Sequence, residues 1–167
     1  MNFYVLPYLG NIDLTKAESH YSIESIQLNG DSANIDLNFE NLCVPKEQMD
    51  KIKAFLENID GINQQNYIHI NKDYANSQGG TVEDYLTHHL SVMERSQLAQ
   101  LIDFENALIP QIKQLFNKIH LVRVALYASE EDLYGVFDYT IGKIYTNYYL
   151  VIKTDSIGNL CYITMES

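Results

Sequence analysis

Apolar and polar residues alternate most cleanly after Ser32: Ala33, Ile35, Leu37 and Phe39 fall on one side, and Asn34, Asp36, Asn38 and Glu40 on the other. A period of two sends one set to a core and the other to water, so the segment reads as an antiparallel strand with one wet face. Residues 21–28 precede it, joined by Asn29-Gly30, a pair suited to a two-residue hairpin turn. A strict two-residue turn sets Ile26 opposite Ala33 but Glu24 opposite Ile35, a mismatch that predicts a bulge or a longer loop. Two shorter extended pieces come first, at 3–6, ending at Pro7, and at 8–14.

The period then changes. Met49, Ile52, Phe55, Leu56 and Ile59 recur at helical spacing behind Pro45, which suits a first helical turn, and Gly61 is placed to end that helix. Residues 62–75 form a more polar helix candidate, and Gln78-Gly79-Gly80 breaks the chain. Thr81 reads as the cap of the next helix, with Asp84 three residues on. Val82, Tyr85, Leu86, His89, Leu90 and Met93 form its inner face. Ser96 opens a short continuation, and Leu108, Ile112, Leu115, Phe116 and Ile119 mark a last helix with Pro110 in its first turn.

Residues 119–128 are almost continuously apolar, as a central strand would be, and strands at 133–141, 146–154 and 159–165 follow over short links. The prediction is an α+β fold over residues 1–167 as a single domain. It has an antiparallel sheet with an N-terminal β-hairpin block, a helical middle and a C-terminal antiparallel meander, with the helices mainly on one face.

Composition narrows the function classes. Eleven Lys and Arg face 22 Asp and Glu, a net charge of −11, which disfavours nucleic acid and anionic membranes and favours encounter with a cationic protein. The plainer reading of the same charge is solubility. No apolar run approaches the roughly 20 residues of a membrane span, and residues 1–10 lack the basic start of a signal peptide; a cytoplasmic location is expected. Cys43 and Cys161 make no CxxC pair and sit among apolar neighbours, so both are expected as buried free thiols. Phosphate-loop, nucleophile-elbow, HExxH and EF-hand patterns are absent, and no cofactor is expected.

Three constellations remain. Asp84 and His88 are four apart on one helix face beside His89, a partial metal or acid–base set; the plainer reading is a surface pair with His89 at the core boundary. Asp138 lies in an alternating strand, opposite in sign to Arg123 on the strand before it, and a cross-strand ion pair is expected if both share a face. Tyr127, Tyr134, Tyr139, Tyr145, Tyr148, Tyr149 and Tyr162 concentrate in the C-terminal third of a chain with 13 tyrosines and no tryptophan. Tyr139, Tyr148 and Tyr149 with Asp138 are the candidate binding residues, since tyrosine suits interfaces; ordinary sheet packing is the competing account.

Several segments resemble a family of small acidic bacterial proteins classed as a domain of unknown function. They are Tyr8-Leu9-Gly10-Asn11-Ile12-Asp13-Leu14, Ile35-Asp36-Leu37-Asn38-Phe39-Glu40, Tyr85-Leu86-Thr87-His88-His89-Leu90, Phe137-Asp138-Tyr139-Thr140-Ile141-Gly142 and Ile163-Thr164-Met165-Glu166-Ser167. The resemblance implies a bacterial cytosolic origin and an α+β fold, and brings no activity. The leading functional expectation is a non-enzymatic acidic protein-binding module, immunity- or adaptor-like, with a cationic protein partner. The alternative is a small metal-dependent enzyme built on Asp84, His88 and His89. A homodimer through the C-terminal sheet is left open.

Overall fold

The structure, a computed structural model, describes residues 2–167. Among them the chain order is β1 (Phe3–Leu6), β2 (Gly10–Asp13), β3 (His20–Leu28), β4 (Asp31–Asn38), α1 (Lys46–Glu57), α2 (Ile59–Tyr74), α3 (Thr81–Val92), α4 (Arg95–Leu98), α5 (Gln111–Phe116), β5 (His120–Tyr127), β6 (Gly135–Thr140), β7 (Tyr149–Thr154) and β8 (Leu160–Glu166). This is the predicted α+β arrangement. β1 and β2 form a separate antiparallel hairpin, and β3 to β8 form one sheet in sequence order. Neighbours are antiparallel except β4 and β5, which run parallel because the whole helical middle intervenes as their crossover.

The first hairpin turns where expected, with Asn29 and Gly30 both at positive φ. The predicted mismatch is resolved by a bulge: Ile26 pairs with Ala33, and Ile23, in place of Glu24, pairs with Ile35. Ser25 takes up the slack at φ 60°, and its N–H donates to the Asn34 side chain at 3.2 Å. The bulge keeps the apolar set of β4 on the core side, where Ala33, Ile35 and Leu37 are fully buried.

The helices differ from the sequence reading in how they end. Gly61 does not stop the first helix. α1 closes at Asn58, α2 restarts at Ile59, and Gly61 lies in its first turn. The apolar stripe explains the restart, because Ile59 and Ile62 are buried in the same core as Met49, Ile52, Phe55 and Leu56. Thr81 is not the cap of α3 either. Its N-cap residue is Gly80, and the Val82 N–H donates to the Asp73 carboxylate, at 2.7 Å, from the end of α2. A Cβ on Gly80 would fall 2.5 Å from that same carboxylate. At α5, Pro110 holds the N-cap position, but the helix is only six residues long, and Leu108 lies outside it, 93% exposed. Both cysteines are exposed, contrary to expectation: Cys43 lies in the link to α1, and Cys161 sits on the edge strand β8 at a register shift. No helix among the described residues is long and apolar enough to cross a membrane.

The five helices contribute their buried apolar residues to one core on a single face of the sheet, which also holds Leu121, Val124 and Leu126 of β5, Phe137 and Tyr139 of β6, and Leu150 and Ile152 of β7. Gly135 sets how closely α1 approaches. A Cβ there would lie 2.5 Å from Thr154 Oγ1 and 2.6 Å from Phe55 Cζ. Gly135→Ala is therefore expected to lower unfolding stability by about 1–3 kcal/mol through overpacking. Urea denaturation measures it, and an unchanged midpoint would contradict the packing described.

Candidate functional site

Alternation along the strands leaves the second face of the sheet to Asp36 of β4, Arg123 and Tyr127 of β5, Val136 and Asp138 of β6, Tyr149, Val151 and Lys153 of β7, and Glu166 of β8. Ala125 and Val151 are buried on this face although neither belongs to the core cluster under the helices. Their cover is the layer of charged and aromatic side chains around them.

Arg123 organises that layer. Its Nε donates to Asp36 Oδ2 at 2.5 Å and its Nη1 to Asp138 Oδ2 at 3.1 Å, so one guanidinium joins β4, β5 and β6. The Arg123–Asp138 contact is the expected cross-strand pair. The Asp36 contact was not anticipated, because it depends on the parallel pairing of β4 with β5. The Arg123 side chain keeps 36% of its exposure, against 12–13% for the two carboxylates. The carboxylates are thus the more desolvated partners.

The two acids respond oppositely. Burial works to raise the Asp36 carboxyl, but hydrogen bonds from Ser22, at 2.6 Å, and from Arg123 outweigh it and hold the group below its ordinary value. Asp138 is pushed above its ordinary value by burial first, with the Glu166 charge adding, and Arg123 compensates only in part. Lys153 is committed elsewhere, to Glu166 at 2.7 Å, with its ammonium 5.5 Å from the Tyr162 ring centroid.

A concavity of about 430 Å3 opens over these residues, with Tyr127, Tyr149, Leu133 and Val151 among its walls and Asp138 and Glu130 among its acids. A smaller one of about 260 Å3 shares Arg123, Asp138 and Tyr149 and adds Val122 and Lys143.

The four candidate binding residues divide between the two faces. Asp138 and Tyr149 belong to the open face. Tyr139 does not: it is fully buried under the helices, with its hydroxyl donating to Asn63 Oδ1 at 2.6 Å, so it is unavailable to a partner. Tyr148, one residue from Tyr149, points the other way and packs against His88, with ring centroids 4.8 Å apart. Tyr134 is likewise buried. The missed members, Asp36, Glu130, Lys153 and Glu166, carried a partial signal. Asp36 and Glu166 lie on alternating strands, but only the sheet order brings them to one surface.

The metal candidates are not brought together. Asp84 is exposed, whereas His89 is buried and uses both ring nitrogens, Nδ1 at 2.6 Å from the Tyr85 carbonyl and Nε2 at 2.8 Å from the Thr146 hydroxyl. His88 rests edge-on against His89 and Tyr148. Among the described residues no group of three His, Cys, Asp or Glu side chains is arranged to hold a metal ion. The Asp84–His88–His89 set is therefore corrected to one exposed acid and two packed aromatic rings.

No protein-family model matches this chain, and the comparisons with curated proteins and with solved structures found no match either.

Two outcomes follow. Arg123→Met leaves the Asp36 and Asp138 carboxylates, which reach it from β4 and β6 on either side of β5, without their shared cation. Loss of a fully buried partner costs about 3–5 kcal/mol, and the partial exposure of Arg123 brings the expected loss to about 2–3 kcal/mol. Adding Asp138→Asn to that variant should restore part of it, read from urea midpoints; no recovery would mean that the carboxylates do not repel. The second concerns His89, whose imidazole is held below its ordinary titration range by burial, against a smaller opposing effect of the Tyr85 carbonyl. The unfolded chain takes up the proton near its usual pH of about 6.5, before the folded chain does. Stability due to His89 is then full above that pH and lost as pH falls through the lowered folded value. His89→Gln should flatten the decline in urea midpoint between pH 7 and pH 5, and an unchanged slope would refute the assignment.

Proposed function

We propose that this chain is a non-enzymatic acidic binding module, immunity- or adaptor-like, that takes a cationic protein on the helix-free face of its sheet. The observation that carries the reading is that face itself, where a preorganised ion cluster and the aromatic rings of Tyr127 and Tyr149 surround a concavity in a chain of net charge −11. Rigid aromatic and arginine side chains in a partly desolvated setting are the residues that concentrate binding energy at interfaces. The surplus negative charge supports fast capture of a basic partner. A cytoplasmic setting accords with this reading.

Affinity capture from the source organism tests it, with the wild-type chain beside Tyr149→Ala and, as a control on the opposite surface, Glu57→Gln. The expected result is a stoichiometric basic protein held by wild type and control, bound about tenfold more weakly by Tyr149→Ala, and released as added salt shortens the Debye length below about 10 Å. Capture that is indifferent to Tyr149, or an inert monomer with no stoichiometric partner, overturns the reading.

A further inference from the structure

We propose that the concavity over β5–β8 is a receptor for a single arginine side chain of the protein partner, with the guanidinium set on Asp138 and Glu130 and its stem between the tyrosine rings. This inference rests on the binding-module reading and deepens it.

Charge accounting at the site favours a cation. Arg123 is shared by two carboxylates, Asp36 and Asp138. Lys153 is matched by Glu166. Both cations that line the larger concavity are therefore neutralised, Lys143 lining only the smaller one beside it, and the surplus is one carboxylate of the Asp36–Asp138 pair together with Glu130. Asp138 uses only Oδ2 toward Arg123, and its Oδ1 has no hydrogen-bond partner among the described residues. Burial is the main reason its carboxyl is pushed above its ordinary value, and Arg123 offsets that only in part, so a second cation reaching Oδ1 would favour the charged form.

Shape and chemistry favour arginine within that class. A volume of about 430 Å3 lies in the range of small-molecule sites and accommodates a side chain with its flanking backbone. Tyr127 and Tyr149 supply aromatic faces, Val136 and Val151 an aliphatic floor, and Asp138 a carboxylate oxygen. A planar guanidinium stacks on the first and donates to the last, while its methylenes pack on the second.

The test is titration of 15N-labelled protein with Nα-acetyl-arginine methylamide, followed by amide and tyrosine-ring shifts. The citrulline analogue serves as a neutral isostere and inorganic phosphate as an anionic probe. Expected are saturable shifts confined to residues around Tyr127, Asp138 and Tyr149, a dissociation constant on the order of millimolar, and at least about fivefold weaker binding of the citrulline analogue. Asp138→Asn and Tyr149→Leu should each weaken binding by about fivefold or more, and unchanged dispersion of the remaining amides would show that both variants are folded. No saturation, equal binding of citrulline, shifts centred elsewhere, or phosphate binding at Arg123 in preference to arginine would each overturn the proposal. The two readings fail separately: a captured partner that presents no cationic side chain to this concavity overturns the arginine site and leaves the binding module standing, whereas an inert monomer with no stoichiometric partner overturns the module.

Discussion

One guanidinium crosses the seam where the two halves of the sheet meet. β4 and β5 are neighbours in space, but Arg123 and Asp36 are 87 positions apart in the chain, with every helix between them. Parallel pairing across so long a connection gains little from local turn geometry, and its loop must be closed before any contact is rewarded. On one side of the seam the apolar residues of β4 and β5 meet the helices. On the other, Asp36, Arg123 and Asp138 tie three consecutive strands together. A slip of one residue would turn Arg123, in β5, or Asp36, in β4, into the core and an apolar neighbour into water, so the charged layer also specifies register. A buried ion pair is weak evidence for stability as such and better evidence for a unique arrangement.

The same interaction shapes the open face. Because Arg123 divides its hydrogen bonds, neither carboxylate is fully compensated by it. Ser22 makes up the difference for Asp36. Asp138 has no such help and sits next to the Glu166 charge. The cluster is therefore uneven: Asp36 takes hydrogen bonds from both Ser22 and Arg123, whereas Asp138, which borders the concavity, takes one from Arg123 alone.

Much of the fold was legible in the order of residues. Two-residue alternation in β4, the Asn29-Gly30 turn and the need for a bulge near Glu24 are local consequences of side-chain period and turn chemistry, and all appear in the structure. Helix ends were less legible because their caps come from distant residues or from continuity of the core. Asp73 replaces Thr81 as the cap of α3, and the buried stripe through Ile59 and Ile62 overrides Gly61 as a stop. The site was half legible. Arg123 and Asp138 lie on consecutive strands and could be paired from the sequence, but Asp36 could not, since its place beside Arg123 follows from a parallel crossover that leaves no local mark. Tyrosine density misled for a related reason: Tyr148 and Tyr149 are adjacent, so the strand sends them to opposite faces, and Tyr139 follows the core-facing alternation of Phe137.

That division of tyrosines bears on how the molecule works. The buried set, Tyr85, Tyr134 and Tyr139, fills a core that contains no tryptophan, and Tyr85 and Tyr139 make hydrogen bonds there. The half-buried Tyr127 and Tyr149 share their strands with the ion cluster, so their rings stand on paired backbone, Tyr127 opposite Asn38 and Tyr149 opposite Glu166. Aromatic rings fixed in this way lose little conformational freedom on binding, and a negative field draws basic partners toward them before any contact forms. The helix layer and the crossover that make the core also leave the opposite face uncovered. Affinity and selectivity at that face then rest on the few side chains that Arg123 holds in register.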